Sequence, residues 1–80
     1  MSELSRLRWR CRRGIKEMDL VFQRFLEQEY AELSEQEKEL FEQILDESDL
    51  DILDWILERQ DVANTRYEGL VKKFRQFKSS

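Results

Sequence analysis

Residues 33–57, LSEQEKELFEQILDESDLDILDWIL, carry the clearest structural signal in the chain. Apolar residues recur there at steps of three and four, which is the signature of amphipathic α-helices. Ser34 lies three residues before Glu37, the spacing of a capping box in which each side chain accepts from the other residue's backbone N–H. We therefore predict that one helix opens at Ser34 and another near Ser48 or Asp49. The apolar arc of the later helix covers more than half of its circumference, so we expect that helix to lie centrally.

The same periodicity extends to both sides of this stretch, and no proline interrupts it. It predicts helices over about Glu3–Arg13, Lys16–Glu29 and Ala63–Phe77. Gly14 follows the first of these, where a helix often ends in a left-handed residue, a conformation that glycine adopts without steric penalty. The connections are so short that successive helices must turn back on one another. The predicted fold is all-α, a compact bundle of five short helices in one domain over residues 1–80.

The composition argues against an enzyme. The chain has 80 residues, no histidine and a single cysteine, Cys11. The lack of histidine excludes Ser–His and Cys–His catalysis and a Cys/His metal site, and no glycine-rich phosphate loop is present. A chain of this size buries only about 60–65% of the surface that its unfolded form exposes, which leaves little room for a deep cavity. We predict a non-enzyme that holds no metal ion and keeps Cys11 as a packed thiol.

Charge is segregated along the chain, although the net charge is only −4. Residues 1–16 carry six basic residues and one acidic one, residues 17–61 carry sixteen acidic and three basic ones, and the tail turns basic again. The basic ends can dock on the acidic middle or face a charged partner. The carboxylates of residues 46–54 lack the glycine and the ligand order of a calcium loop. We interpret them as a solvated face and helix caps.

The first helix carries the residues that suggest a partner. Trp9 falls opposite its apolar stripe with Arg12 and Arg13 within reach of a cation–π contact, and Trp and Arg are enriched at interface hot spots. Packing of Trp9 under another helix is an equally good interpretation. Arg13, Gly14 and Glu17 can form one exposed corner, or Glu17 can serve only the dipole of its own helix. A protein-binding module and a nucleic-acid binder with a basic helix both remain open, although the acidic middle would repel phosphate.

These residues also resemble those of a known family. The run W-R-C-R-R-G-I-K-E-M-D, residues 9–19, is similar to the R-G-x-x-E signature region of the small assembly factors that promote flavin attachment to succinate dehydrogenase. The resemblance continues through F-L-E-Q-E-Y, L-S-E-Q-E-K and L-D-I-L-D-W, residues 25–30, 33–38 and 50–55. It covers nearly the whole chain up to Trp55. It implies a five-helix bundle that acts as a dedicated chaperone.

The resemblance also implies a partner and a working surface. The partner would be the flavoprotein subunit of succinate dehydrogenase, or in bacteria also that of fumarate reductase, in which FAD becomes attached to a histidine. The FAD would belong to this client subunit, so we expect no stably bound cofactor, and binding of free FAD stays open. By motif match, the partner-binding residues are Arg13, Gly14 and Glu17, flanked by Trp9, Arg12 and Asp19.

The remaining expectations concern location and assembly. No apolar run approaches the ~20 residues that a membrane-spanning helix needs, and the N-terminus lacks the apolar core of a secretory signal. A lone cysteine fits a reducing compartment. Under the resemblance, the absence of a presequence favours a bacterial cytoplasmic protein over a mitochondrial one. We expect a monomer with no nucleic-acid partner and no membrane insertion, and we assign no role to the basic C-terminal helix.

Overall fold

In the computed structural model, which describes residues 3–78, the chain folds as five α-helices with two short 3-10 helices among them. No β-strand occurs within those residues, and the all-α prediction is confirmed. None of the helices in this range is long and apolar enough to cross a membrane. The α-helices are α1 (Glu3–Arg10), α2 (Lys16–Gln28), α3 (Glu35–Leu45), α4 (Asp49–Ile56) and α5 (Glu68–Arg75), and the 3-10 helices are Tyr30–Glu32 and Thr65–Tyr67.

The start of α3 is fixed by local hydrogen bonds. Ser34 Oγ accepts from the backbone N–H of Glu37 at 3.1 Å, and Glu37 Oε1 accepts from the N–H of Ser34 at 3.0 Å. The predicted capping box is therefore confirmed, and it gives partners to two backbone donors at the start of the helix. The hydrogen bond from the Ser34 N–H also holds the pKa of Glu37 below its ordinary value.

Two helix ends differ from the prediction by three or more residues, because side chains compete for backbone groups. α1 ends at Arg10, three residues before the predicted end at Arg13. The Arg13 guanidinium donates to the Arg10 carbonyl at 3.2 Å, and this carbonyl would pair with a later backbone N–H if the helix continued. α5 begins at Glu68, five residues later than predicted, because Asn64 opens a 3-10 turn by accepting from the N–H of Arg66 at 2.9 Å.

Four phenylalanines form the centre of the core, and none of them has exposed surface. α2 contributes Phe22 and Phe25, α3 contributes Phe41, and α5 contributes Phe74. Phe22 and Phe25 each meet Phe74 edge to face, with ring centroids 5.3 and 4.9 Å apart. Each such contact is worth about 0.5–1.5 kcal/mol beyond the buried area. α2 therefore supplies two of the four rings at the centre of the core.

The prediction that α4 lies centrally is wrong. α4 buries Ile52, Trp55 and Ile56, but Leu50 in its first turn is 69% exposed. A helix with a wide apolar arc is covered all round only when it has neighbours on most sides. A chain of 80 residues has too few helices to cover α4 on every side.

α4 ends in a Schellman motif that is built on a glutamate. Glu58 has a φ angle of 60°, in the left-handed region that favours glycine. Its N–H donates to the Trp55 carbonyl at 3.3 Å, and the N–H of Arg59 donates to the Asp54 carbonyl at 2.8 Å, the two bonds that define the motif. Arg75 of α5 donates Nε and Nη2 to the Trp55 carbonyl at 3.0 and 2.8 Å, which fastens α5 to the end of α4.

Candidate partner-binding site

The connection between α1 and α2 contains a bare backbone position at the surface. Gly14 has a φ angle of 83°, so the predicted left-handed conformation is confirmed. The residue is exposed, and a Cβ atom built on it would meet no atom within 4 Å. The conformation favours glycine, whereas the surrounding space leaves room for a side chain. An incoming backbone can therefore approach closely at this point.

The side chain of Arg13 turns inward, away from the exposed corner that the sequence suggested. It is only 15% exposed, and each of its three guanidinium nitrogens donates a hydrogen bond. Nε donates to Asp49 Oδ1 at 2.6 Å, Nη1 to the Arg10 carbonyl at 3.2 Å and Nη2 to the Glu47 carbonyl at 3.2 Å. The corner therefore exposes Gly14 to solvent, whereas the guanidinium of the neighbouring Arg13 is hydrogen-bonded within the protein.

Asp19 lies behind the same turn and holds its backbone. Oδ1 of Asp19 accepts from the backbone N–H of Arg13 at 2.8 Å. Asp19 belongs to the first turn of α2 and is half-buried. A carboxylate there also interacts favourably with the helix dipole. These contacts give Asp19 a role in shaping the turn, and its predicted role in flanking a partner stays a prediction.

Trp9 points outward and is 69% exposed, which favours the first of the two interpretations of this residue. The guanidinium carbon of Arg12 lies 6.0 Å from the centroid of the Trp9 ring, and Arg12 is exposed. A cation over an exposed ring is worth about 0.5–1 kcal/mol. This pair forms an apolar and cationic surface next to the Gly14 turn.

Glu17 completes the exposed side of the corner. It lies in the first turn of α2, and its side chain is exposed. Among residues 3–78 it makes no ion pair or side-chain hydrogen bond, so the dipole of its own helix is its one evident favourable interaction there. The carboxylate is therefore free to accept from a partner. We call Trp9, Arg12, Gly14 and Glu17 together the corner surface.

The basic residues around α1 divide into two groups. Arg6 and Arg10 lie 3.7 and 3.5 Å from Glu42 Oε1 of α3, and Arg10 also pairs with Asp46. The basic N-terminal segment thus does dock in part on the acidic middle. Within the described range, three exposed cations of this region make no ion pair. These are Arg8, Arg12 and Lys16.

A shallow groove of about 360 Å³ runs between α1 and α2 beside the corner surface, with Arg8 and Glu27 among the residues that line it. Cys11 also borders the groove but is only 4% exposed, and burial raises the pKa of its thiol to about 12. The thiol is therefore neutral near pH 7 and a poor nucleophile. The prediction of a packed thiol is confirmed.

The sequence did not reveal the part that the α3–α4 connection plays at this corner. Asp49 was interpreted as a cap or part of a solvated face, but its carboxylate accepts a hydrogen bond from the guanidinium of Arg13, which lies 36 residues earlier in the sequence. Glu47 contributes its backbone carbonyl to the same guanidinium. The segregation of charge left open whether the basic ends pair with the acidic middle or face a partner. It did not specify which residues pair.

Comparison with known proteins gives consistent matches over most of the chain. The family described as flavinator of succinate dehydrogenase matches residues 5–78. A protein of Coxiella burnetii named FAD assembly factor SdhE is 35% identical over 74 residues, which cover 92% of this chain and 90% of that protein. Its namesake in Idiomarina loihiensis is 40% identical over 72 residues, 90% of this chain and 80% of that protein. The namesake in Yersinia pseudotuberculosis is 34% identical over 68 residues, 85% and 77% respectively.

Proposed function

The chain belongs to the succinate dehydrogenase flavinator family, and from that membership we propose that it binds the flavoprotein subunit of succinate dehydrogenase and promotes covalent attachment of FAD there. The single observation that supports docking through the corner surface is the exposure of Trp9 beside a bare glycine backbone. Trp and Arg anchor many interfaces, and a position without a Cβ admits a partner's backbone. Glu17 adds an unpaired carboxylate that can accept from donors of the client subunit.

The proposed mechanism is positioning. The chain has no histidine, and its one thiol is buried and protonated at neutral pH. The bond to FAD would therefore form through the client's own groups, while the factor holds the client's FAD domain so that flavin and histidine meet. Holding two reacting groups in the right geometry can lower a barrier by several kcal/mol without a reactive group on the factor. FAD would remain with the client throughout.

The proposal extends to the flavoprotein subunit of fumarate reductase as a second client, to a monomeric factor and to the absence of a nucleic-acid partner. Arg6, Arg10 and Arg13 are paired with carboxylates of the same chain, so half of the basic residues in the N-terminal segment are neutralised internally. A nucleic-acid backbone would find few unpaired basic residues there, and the acidic middle of the chain would repel its phosphates.

Two substitutions at Gly14 test docking at the corner surface. Because a Cβ at Gly14 meets nothing within 4 Å, alanine and arginine suffer the same left-handed backbone strain, which should lower the stability of each variant by about 1 kcal/mol. Only arginine adds bulk and charge to the surface. Gly14→Arg should therefore abolish binding to the purified flavoprotein subunit, and Gly14→Ala should retain most of it.

Covalent flavin provides the functional measurement. In bacterial cells that lack their own factor, fluorescence of the flavoprotein subunit on a denaturing gel should return with the wild-type chain and with Gly14→Ala but not with Gly14→Arg. Immunoblots should show equal levels of all three chains. Normal covalent flavin with Gly14→Arg would refute docking at the corner surface, and no restoration by the wild-type chain would refute the proposed function.

A further inference from the structure

We propose that Arg13 is a positioning residue, which holds the corner surface in the geometry that the client subunit binds and makes no contact with the client itself. The inference rests on the proposed function. It differs from what the signature motif suggests, because the motif places Arg13 on the working surface together with Gly14 and Glu17.

The guanidinium of Arg13 is largely buried and is bonded within this chain, which sets it apart from the corner surface. All three nitrogens donate to acceptors of this chain, and only 15% of the side chain is exposed. A partner could draw the guanidinium to itself only by displacing these bonds. Hydrogen bonds that involve a charged group are stronger than those between neutral groups, so such displacement would cost more than a typical surface contact returns.

The acceptors lie on two different segments. The Arg10 carbonyl is the last of α1, whereas Glu47 lies in the α3–α4 connection and Asp49 is the first residue of α4. Through its backbone N–H, Arg13 is also bonded to Asp19 of α2. One residue therefore connects the end of α1, the start of α2 and the start of α4, at the position directly before Gly14.

The α3–α4 connection is itself held in place, so it can act as an anchor. The Tyr67 hydroxyl donates to Glu47 Oε2 at 3.3 Å. Burial, followed by the charge of Glu47, raises the pKa of Tyr67. Arg10 of α1 pairs with Asp46 next to it. The Arg13 bonds thus join the α1–α2 turn to a segment with independent attachments.

The geometry explains why this position requires arginine. The planar guanidinium presents donors in several directions and can reach a carboxylate and two carbonyls at once. A lysine ammonium at the end of a flexible chain cannot reproduce that arrangement. Glycine has more backbone freedom than any other residue type, so removal of the guanidinium bonds should let the turn at Gly14 sample other conformations.

A mutant cycle with Asp49 provides the test. Arg13→Ala, Asp49→Ala and the double variant are compared for affinity to the purified flavoprotein subunit. Loss of the connection should weaken binding about tenfold, because one extra backbone residue must then be ordered on docking. The double variant should be no weaker than Arg13→Ala. Asp49→Asn, which keeps an oxygen acceptor, should recover part of the affinity, and Asp51→Ala, an exposed carboxylate of the same helical turn, should bind like the wild type.

Hydrogen exchange of the free chain separates positioning from direct contact. The corner amides of residues 11–13 donate to Leu7, Trp9 and Asp19. They should exchange faster in Asp49→Ala than in the wild type, while core amides of α2 keep their protection. If Arg13→Ala loses affinity but Asp49→Ala binds normally and the corner amides are unchanged, Arg13 contacts the client and the inference is wrong. The Asp49 variants keep this test available if Arg13→Ala does not fold. Failure of the wild-type chain to bind the subunit would instead overturn the proposed function, and the docking role of Arg13 with it.

Discussion

Replacing Glu58 by glycine should relieve backbone strain at the end of α4, although it removes two ion pairs. Glu58 occupies the left-handed position of the Schellman motif at the end of α4, with a φ angle of 60°. A residue with a Cβ pays about 1–2 kcal/mol there, whereas glycine is unstrained but loses roughly 0.5–1 kcal/mol through its greater freedom in the unfolded chain. The backbone term therefore favours glycine by about 0.5–1 kcal/mol.

The side chain of Glu58 supplies the opposing term, and a second variant measures it. Its carboxylate lies 3.3 Å from Lys78 Nζ and 3.9 Å from Arg75 Nη1, but the side chain is 60% exposed. Ion pairs this exposed contribute between zero and about 1 kcal/mol. Glu58→Gln removes the charge and keeps the backbone strain. The difference between Glu58→Gly and Glu58→Gln therefore isolates the backbone term.

Thermal unfolding followed by circular dichroism is the direct assay. For a domain of this size, 1 kcal/mol shifts the melting temperature by about 4–8 °C, so Glu58→Gly should melt about 4 °C above Glu58→Gln. Urea unfolding should give the same order. If Glu58→Gly melts at or below Glu58→Gln, the left-handed strain assigned to this position is absent and the account of the α4 terminus is wrong.

Two further predictions concern the cap of α3 and the buried thiol. Ser34→Ala should lower the free energy of unfolding by about 1 kcal/mol in urea titrations, whereas Ser48→Ala, whose side chain makes no capping hydrogen bond, should change it much less; equal losses would contradict the capping argument. Burial raises the pKa of Cys11 from 9.0 to about 12, so the native state favours the neutral thiol over the thiolate. The stability that this preference contributes is complete below pH 9 and is lost as the pH rises towards 12. Between about pH 8 and pH 10, the wild type should lose roughly 1.4 kcal/mol more than Cys11→Ala, and parallel losses would contradict a buried thiol.

The parts of the fold that the sequence predicted are those with local causes. The capping box of Ser34 and Glu37 needs only a three-residue spacing, and the left-handed conformation of Gly14 needs only the lack of a Cβ. Helix identities followed from periodicity, which depends on neighbours three and four residues apart. These signals do not depend on how the helices are arranged around one another.

The parts that the sequence missed depend on which surfaces meet. Periodicity marks Leu50 as apolar but cannot say that α4 lacks a neighbour on that side, where the residue is 69% exposed. Arg13 belongs to an arginine-rich segment, and nothing in its spacing indicates that its guanidinium reaches Asp49 while Arg12 stays at the surface. At the candidate site, the sequence therefore named the residues. It did not separate those that face outward from those that hold the turn.

The adjacency of Arg13 and Gly14 has a physical reason that neither residue reveals alone. A glycine offers a partner an unobstructed backbone, but its conformational freedom would otherwise have to be lost on binding. The bonds of Arg13 to Asp49 and of Asp19 to the Arg13 backbone restrict that freedom before the partner arrives. A protein of 80 residues with a thin core has few other means of fixing a surface turn. Under the proposed docking at the corner surface, the inward-facing Arg13 would hold the outward-facing Gly14 in place, and Arg13→Lys should weaken docking even though the charge is retained.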